Sequence, residues 1–262
     1  MDVGRVLLEI SDGVALATIS RPAKLNSLSG DMRRQLRDGI RDAARDETVR
    51  ALVVTGEGNA FCAGGDVATM GTLREEGNPD EFHRILHAGA ECVLALQAFP
   101  GLTIAAIPGI AAGAGFALAL GCDLRVATSS ARFAASWSGL ALAPDWGATH
   151  WLPRILGYPR ALELVLSGRV VDASEALEMG LVHRVVDATA LESTVAEFAE
   201  WARAREMVKG VKYLLRKGLA VGIEASLAAE TETQEDLFVS DDVLEGLRAF
   251  REKRPARFGE GS

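Results

Sequence analysis

Cysteine is scarce in this chain: Cys62, Cys92 and Cys122 are the only three. An odd number, with no CxxC pair and no histidine cluster beside it, argues against a disulfide framework or a zinc site. Each is expected to be a small buried apolar residue in a reducing, cytoplasmic compartment. Excess positive charge is also missing. The 28 Lys and Arg against 36 Asp and Glu leave a net charge of −8, which argues against a non-specific nucleic-acid binder. Most of these carboxylates are expected on the solvated surface. No unbroken apolar run reaches membrane length. The most apolar stretch, 102–124, is interrupted by Pro108, Gly109, Gly113 and Gly115, and reads as buried strand, loop and helix rather than a membrane span. The first five residues lack a basic region followed by an apolar one, so no secretory leader is expected. His83 and His87 stand four apart without an evident third ligand, so no metal is expected.

What is present fits one α/β domain with a helical extension. The chain has 262 residues and is 48% hydrophobic, enough for a sizeable core. Val6–Ile10 and Val14–Ile19 read as a hairpin turned at Ser11-Asp12-Gly13. Ser29 or Asp31 is placed to cap a helix running to Arg45, with Met32, Leu36, Ile40 and Ala43 on one face. Continuous apolar runs at 50–55, 103–107 and 123–127 suit strands buried on both faces. They alternate with helical patterns at 82–99 and 115–120, which implies right-handed crossovers and a mainly parallel sheet. The segment 67–80 is expected to be a mobile loop that sets pocket size. After Pro144 the spacing turns helical, apart from a short strand expected at 182–186. This gives a core over 1–190 and an amphipathic helical region over 191–262 that must pack on its own core or on a neighbour.

Two glycine loops and one acid stand out. The loops are Asn59-Ala60-Phe61-Cys62-Ala63-Gly64-Gly65-Asp66 and Gly109-Ile110-Ala111-Ala112-Gly113-Ala114-Gly115. Each follows a buried strand, and glycine there lets backbone N–H groups face a ligand. Two converging N–H groups make an oxyanion hole. Taken singly, each loop reads equally as a tight turn. The acid is Asp145, in Leu142-Ala143-Pro144-Asp145-Trp146-Gly147, whose type and place also suit a turn or helix cap.

Taken together, these loops and Gly121-Cys122-Asp123-Leu124-Arg125-Val126-Ala127 resemble the enoyl-CoA hydratase/isomerase (crotonase) superfamily over nearly the whole chain, from Arg21-Pro22 to Arg254. The resemblance implies a ββα spiral core, a C-terminal helical trimerisation region, assembly as a homotrimer or a dimer of trimers, and acyl-CoA thioesters as substrates. Coenzyme A is then part of the substrate, with no separate cofactor. Position by position, it implies oxyanion donors at the N–H groups of Gly65 and Ala114, the latter where the family usually has glycine. Ala23, Leu25, Ala63 and Asp66 fall where the family binds the adenine and pantetheine of CoA. Phe250 and Lys253 match tail residues that reach a neighbouring subunit's CoA.

The departures from the family pattern bear on the reaction. Hydratases of the family hold one water with two glutamates, and those positions here are Ala117 and Trp137. Asp145 and its surroundings instead resemble the single-aspartate enoyl-CoA isomerases of phenylacetate pathways. That implies a 1,3-proton shift, with Asp145 as acid/base, Trp137 in the pocket wall, and Phe116, Ala117, Leu140 and Leu142 as an apolar surround. The Trp137–Asp145 pair also resembles 4-chlorobenzoyl-CoA dehalogenases, but their histidine base falls on Ala90 here, with His87 almost a turn earlier. The alternatives are hydratase-type or ring-modifying acyl-CoA chemistry, and a non-catalytic acyl-CoA-binding subunit.

Overall fold

The computed structural model describes residues 4–259. Met1–Val3, part of the segment inspected for a leader, lie outside the described residues. Strands β1 (Arg5–Ser11) and β2 (Val14–Ser20) form the expected hairpin. Its turn places Asp12 at φ 50° and Gly13 at φ 72°, the paired positive φ that a two-residue hairpin loop needs. From β2 the sheet grows in parallel through β3 (Ala51–Gly56), β5 (Leu102–Ile107), β7 (Leu124–Thr128) and β10 (Arg184–Val186).

Side chains alternate across this six-stranded sheet. Ala17, Ile19, Leu52, Val54, Ala105, Ile107 and Ala127 face the main core. Their neighbours Ala51, Val53, Ile104, Ala106 and Val126 face a second cluster, completed by Val195, Phe198 and Ala199 of helix α8 (Leu191–Glu200). A strand with a core on each side reads as an unbroken apolar run, which is why these strands are plain in the sequence.

The second sheet is built from strands too short to show a period: β4 (Ala60–Cys62), β6 (Ile110–Ala112), β8 (Arg132–Ala134) and β9 (Val170–Asp172), in that order. Each of β3, β5 and β7 runs into one of them, and helices follow, giving the expected ββα spiral. Two glycines permit the close approach. A Cβ at Gly109 would collide with the Asn59 carbonyl oxygen, and one at Gly115 with that of Cys62.

Helix α1 (Met32–Arg45) buries Met32, Leu36, Ile40 and Ala43 as expected, and Arg33 as well. Neither proposed cap operates: Asp31 pairs with Arg34 and makes no cap bond, and Ser29 Oγ meets only Met32 Sδ. The segment expected as a mobile loop holds helix α2 (Val67–Glu75), because the Asp66 carboxylate accepts the N–H groups of Ala68 and Thr69. Helix α3 (Pro79–Ala98) follows, then α4 (Ala114–Gly121), α5 (Ala148–Leu156), α6 (Tyr158–Ser167) and α7 (Ala173–Glu178). Beyond α8 come α9 (Arg205–Gly218), α10 (Ile223–Phe238) and α11 (Asp241–Glu252). Asp123 ties α9 to the sheet, accepting from Thr103 N–H at 2.8 Å and pairing with Lys212 at 2.7 Å and Arg216 at 3.0 Å. Among the described residues no helix is long and apolar enough to cross a membrane.

Candidate active site

Strands β4, β6 and β8 are parallel neighbours. The segments that leave their C-terminal ends therefore emerge at one edge: Ala63–Gly65 after β4, Gly113–Ala114 after β6, and Ala135–Trp137 after β8. Gly64, at φ 94°, brings the first two into contact: a Cβ there would lie 2.8 Å from the Ala112 oxygen and 3.3 Å from the Ala114 nitrogen. Gly113, at φ 51°, turns the chain into α4, with its own N–H donated to the Ala134 carbonyl at 3.0 Å. Ala114 is the first residue of α4, so its N–H has no carbonyl one turn back within the helix. Beside Gly65, Leu28 takes the flanking groups, with Leu28 N–H on the Gly64 oxygen and Asp66 N–H on the Leu28 oxygen. The N–H groups of Gly65 and Ala114 have no acceptor among the described residues, and both residues line a cavity of about 70 Å³. Two backbone donors left open on one cavity are what the expected oxyanion hole requires.

Asp145 lines the same cavity. Its carbonyl accepts Ala148 N–H at 3.0 Å, but its carboxylate does not cap α5, whose cap position is Gly147. The carboxylate instead accepts the Trp137 indole N–H at 2.8 Å. Trp146 and Gly147, at φ 50° and 79°, hold this turn in the left-handed region, an uncommon conformation for a bulky residue. The Trp146 indole is buried against Gly89 of α3, where any Cβ would collide with it.

Burial pushes the Asp145 carboxyl above the ordinary carboxylate value, with the Trp137 bond, its own backbone N–H and Arg33 pulling the other way. The Asp66 carboxyl moves down: Arg21 at 2.7 Å is the main cause, opposed by partial burial and helped by the cap bonds. The three thiols are buried and pushed up to about 12, so they are held as neutral side chains. Leu140 and Leu142 border Asp145's cavity as expected, whereas Phe116 faces the core against Phe133 at 5.7 Å, and Ala117 is packed inside α4.

The other implied residues are scattered. Ala63 lines the cavity, and its N–H donates to the Leu25 carbonyl at 2.9 Å. Ala23 and Leu25 are exposed on the neighbouring turn, while Asp66 has its N–H, carbonyl and carboxylate all engaged. Phe250 and Lys253 stand exposed at the end of α11, Phe250 at 85%. His83 and His87 touch at 4.2 Å between ring centroids on the outer side of α3. A residue not singled out in the sequence also reaches the cavity: Arg33. Its spacing of three and seven from Leu36 and Ile40 was the available signal, since it puts a cation on the buried stripe. A larger cavity of about 600 Å³ opens outward between α2, the start of α3 and Leu140–Leu142, sharing Val67, Met70 and Phe82 with the inner one.

Comparison with known proteins agrees with this geometry. Residues 9–261 match the family model described as enoyl-CoA hydratase/isomerase. A probable enoyl-CoA hydratase of Rhodobacter capsulatus is 37% identical, covering 98% of this chain and 99% of its own length. The 1,2-epoxyphenylacetyl-CoA isomerase of Escherichia coli is 34% identical, over 97% of each chain. The crystal structure of an enoyl-CoA hydratase from Polaromonas sp. JS666 superposes with a TM-score of 0.92 at 30% identity, covering 97% of this chain and 99% of that one. With paired glycine loops at the edge of a ββα spiral, the chain belongs to the enoyl-CoA hydratase/isomerase family of acyl-CoA enzymes.

Proposed function

We propose that the chain is an enoyl-CoA isomerase in which Asp145 carries a proton between two carbons of the acyl group. One observation supports this above the rest: among the described residues lining the cavity that holds the Gly65 and Ala114 N–H groups, Asp145 is the only carboxylate. With the thioester oxygen on those two donors, Asp145 removes a proton from C2 of a 3-enoyl thioester. The electron pair delocalises to the thioester oxygen as a dienolate. Asp145 then returns the proton at C4, and the double bond moves to C2–C3. Each oxyanion donor is worth about 3 kcal/mol in such reactions. Exclusion of water raises the basicity Asp145 needs. Hydration of the family's two-carboxylate kind lacks its second acid; relatives of similar identity include both an epoxyphenylacetyl-CoA isomerase and hydratases, so the reading rests on the site.

The test is incubation with a panel of 2- and 3-enoyl-CoAs in deuterated water, read by mass spectrometry. A positional isomer carrying at most one new deuterium is expected. Gain of a whole water would make the chain a hydratase, and no reaction with any member would leave an acyl-CoA-binding subunit. The Trp137–Asp145 bond also suits a second reading, in which Asp145 attacks an aromatic acyl ring. Ala90 leaves that reaction without a base, so no halide release from 4-chlorobenzoyl-CoA is expected.

The proposed assembly is a trimer or a dimer of trimers, held by the helices after 191. Leu215, Leu219, Leu227 and Phe238 of α9 and α10 expose an apolar groove of about 1140 Å³, more than a solvated tail needs. In that assembly Phe250 and Lys253 approach a neighbour's CoA. A stable monomer in sedimentation at micromolar concentration would contradict it.

A further inference from the structure

Arg33 is the one buried arginine of the site whose surroundings do not account for its charge. It is 5% exposed. Arg21, at the same depth, has Asp66 at 2.7 Å. Arg125, deep in the core, donates to the carbonyls of Leu181 and Cys122 at 2.6 and 2.8 Å. Arg33 donates from Nη2 to the Leu28 carbonyl at 2.8 Å. Its Nε–H is buried with no acceptor, and among the described residues no carboxylate lies within ion-pair distance of it. Removing a guanidinium from water without an ion-pair partner is costly, and burial moves its pKa down, a shift that Cys62, Cys92, Asp145 and Asp66 only partly oppose.

The Arg33 guanidinium borders the inner cavity that holds Gly65 and Asp145, and its Nη2 lies 3.7 Å from where a Cβ on Gly65 would stand. Apart from Ser136 and Asp145, the side chains of the wall are mainly apolar, among them Met70, Phe82, Ile85 and Leu86. A single cation in such a wall recognises an anion through charge-assisted hydrogen bonds. We infer that Arg33 is a specificity-determining residue for a carboxylate on the acyl group, so that the preferred ligands are CoA monothioesters of short dicarboxylic acids. The inner cavity's size favours a short chain. This rests on the proposed function only in that the acyl group enters this cavity.

The experiment is calorimetric binding of unreactive saturated thioesters, succinyl-CoA and glutaryl-CoA against butyryl-CoA, to the whole protein. At least one dicarboxylic thioester is expected to bind about tenfold or more tightly than butyryl-CoA. In Arg33→Met that ratio is expected to fall to about unity, and in Arg33→Lys, which keeps the charge but not the fork, to be partly retained. Equal or weaker binding of both dicarboxylic thioesters by the unmodified protein overturns the inference, even if the variants fail to fold. So does a ratio that persists in Arg33→Met. Because the ligands do not react, a preference for the carboxylate without any isomerase turnover would leave the role of Arg33 standing and remove that of Asp145.

Discussion

Two aspartates of this site stand in similar places and behave in opposite ways. Asp66 precedes α2 in the loop after β4, and Asp145 precedes α5 in the loop after β8, both at the edge of the second sheet. Asp66 is saturated with donors: two helix N–H groups and the Arg21 guanidinium. Its charged form is favoured and its carboxyl held low. Asp145 has one side-chain donor, the Trp137 indole, with its own backbone N–H and a more distant Arg33, in a largely apolar cavity, and burial raises its carboxyl. A carboxylate with three strong donors is held ionised, whereas one with fewer donors and little water takes a proton more readily. The contrast is the basis on which we propose Asp145, and not Asp66, as the acid/base, although both lie in loops that resemble known family motifs.

The largest expected effect breaks the comparison at Asp145. Asp145→Asn keeps the shape and can still accept from Trp137, but it cannot take a proton. It is expected to hold CoA thioesters with similar affinity and to lose about 10²–10⁴-fold in kcat. Near-full turnover of every active enoyl-CoA would remove Asp145 from the reaction.

Next is Ala114→Pro. Proline is well tolerated at the first position of a helix, so the substitution deletes the N–H and little else. A loss of about 10²–10³-fold in kcat is expected, with a melting temperature close to that of the unmodified protein. Retained activity would mean that the oxyanion is held elsewhere.

Asp66→Asn tests the other side and is expected to act on stability. The folded-state pKa of Asp66 is depressed, so its contribution is present above the unfolded value of about 3.9 and is lost as pH falls through the folded value. At pH 7 the substitution is expected to cost about 1–2 kcal/mol, from the lost Arg21 ion pair, since asparagine can still accept the cap bonds. The deficit in denaturant unfolding should shrink toward low pH. A deficit that does not change with pH would mean that the charge of Asp66 contributes nothing.

Much of this contrast was hidden in the sequence. The long strands were legible because each is buried on two faces, and the stripe of α1 because Met32, Leu36, Ile40 and Ala43 keep a helical period. The strands that aim the site were not: β4, β6 and β8 are three residues each, too short for any period to show. Their residues read as loop, so Gly65 and Ala114 are expected in loops that directly follow β3 and β5, whereas β4 and β6 intervene. The cap role of Asp66 is not legible in the sequence, because its cap bonds depend on a helix, α2, whose glycine-bearing segment reads as a loop. Arg33 was passed over because one cation on an amphipathic helix usually points to water. Nothing local told that its face was the one turned to the cavity. Asp145 stands out in the sequence through its motif, but the burial that raises its carboxyl, and the indole donor eight residues back that opposes it, are tertiary.

The acid limb of the pH profile probes this contrast most directly. If Asp145 acts as a base in the free enzyme, kcat/KM falls as pH drops through its raised pKa. Trp137→Phe removes a donor that favours the charged form, so the limb should move to higher pH and the rate at low pH should fall by about tenfold. The measurement is kcat/KM for an active 3-enoyl-CoA against pH, in the unmodified protein and in Trp137→Phe. The expected result is an acid limb above the ordinary aspartate value of about 3.9 that moves upward in the variant. A limb at or below that value, or one that Trp137→Phe leaves in place or moves downward, would contradict the assignment of Asp145 as a base set by burial and a single hydrogen bond.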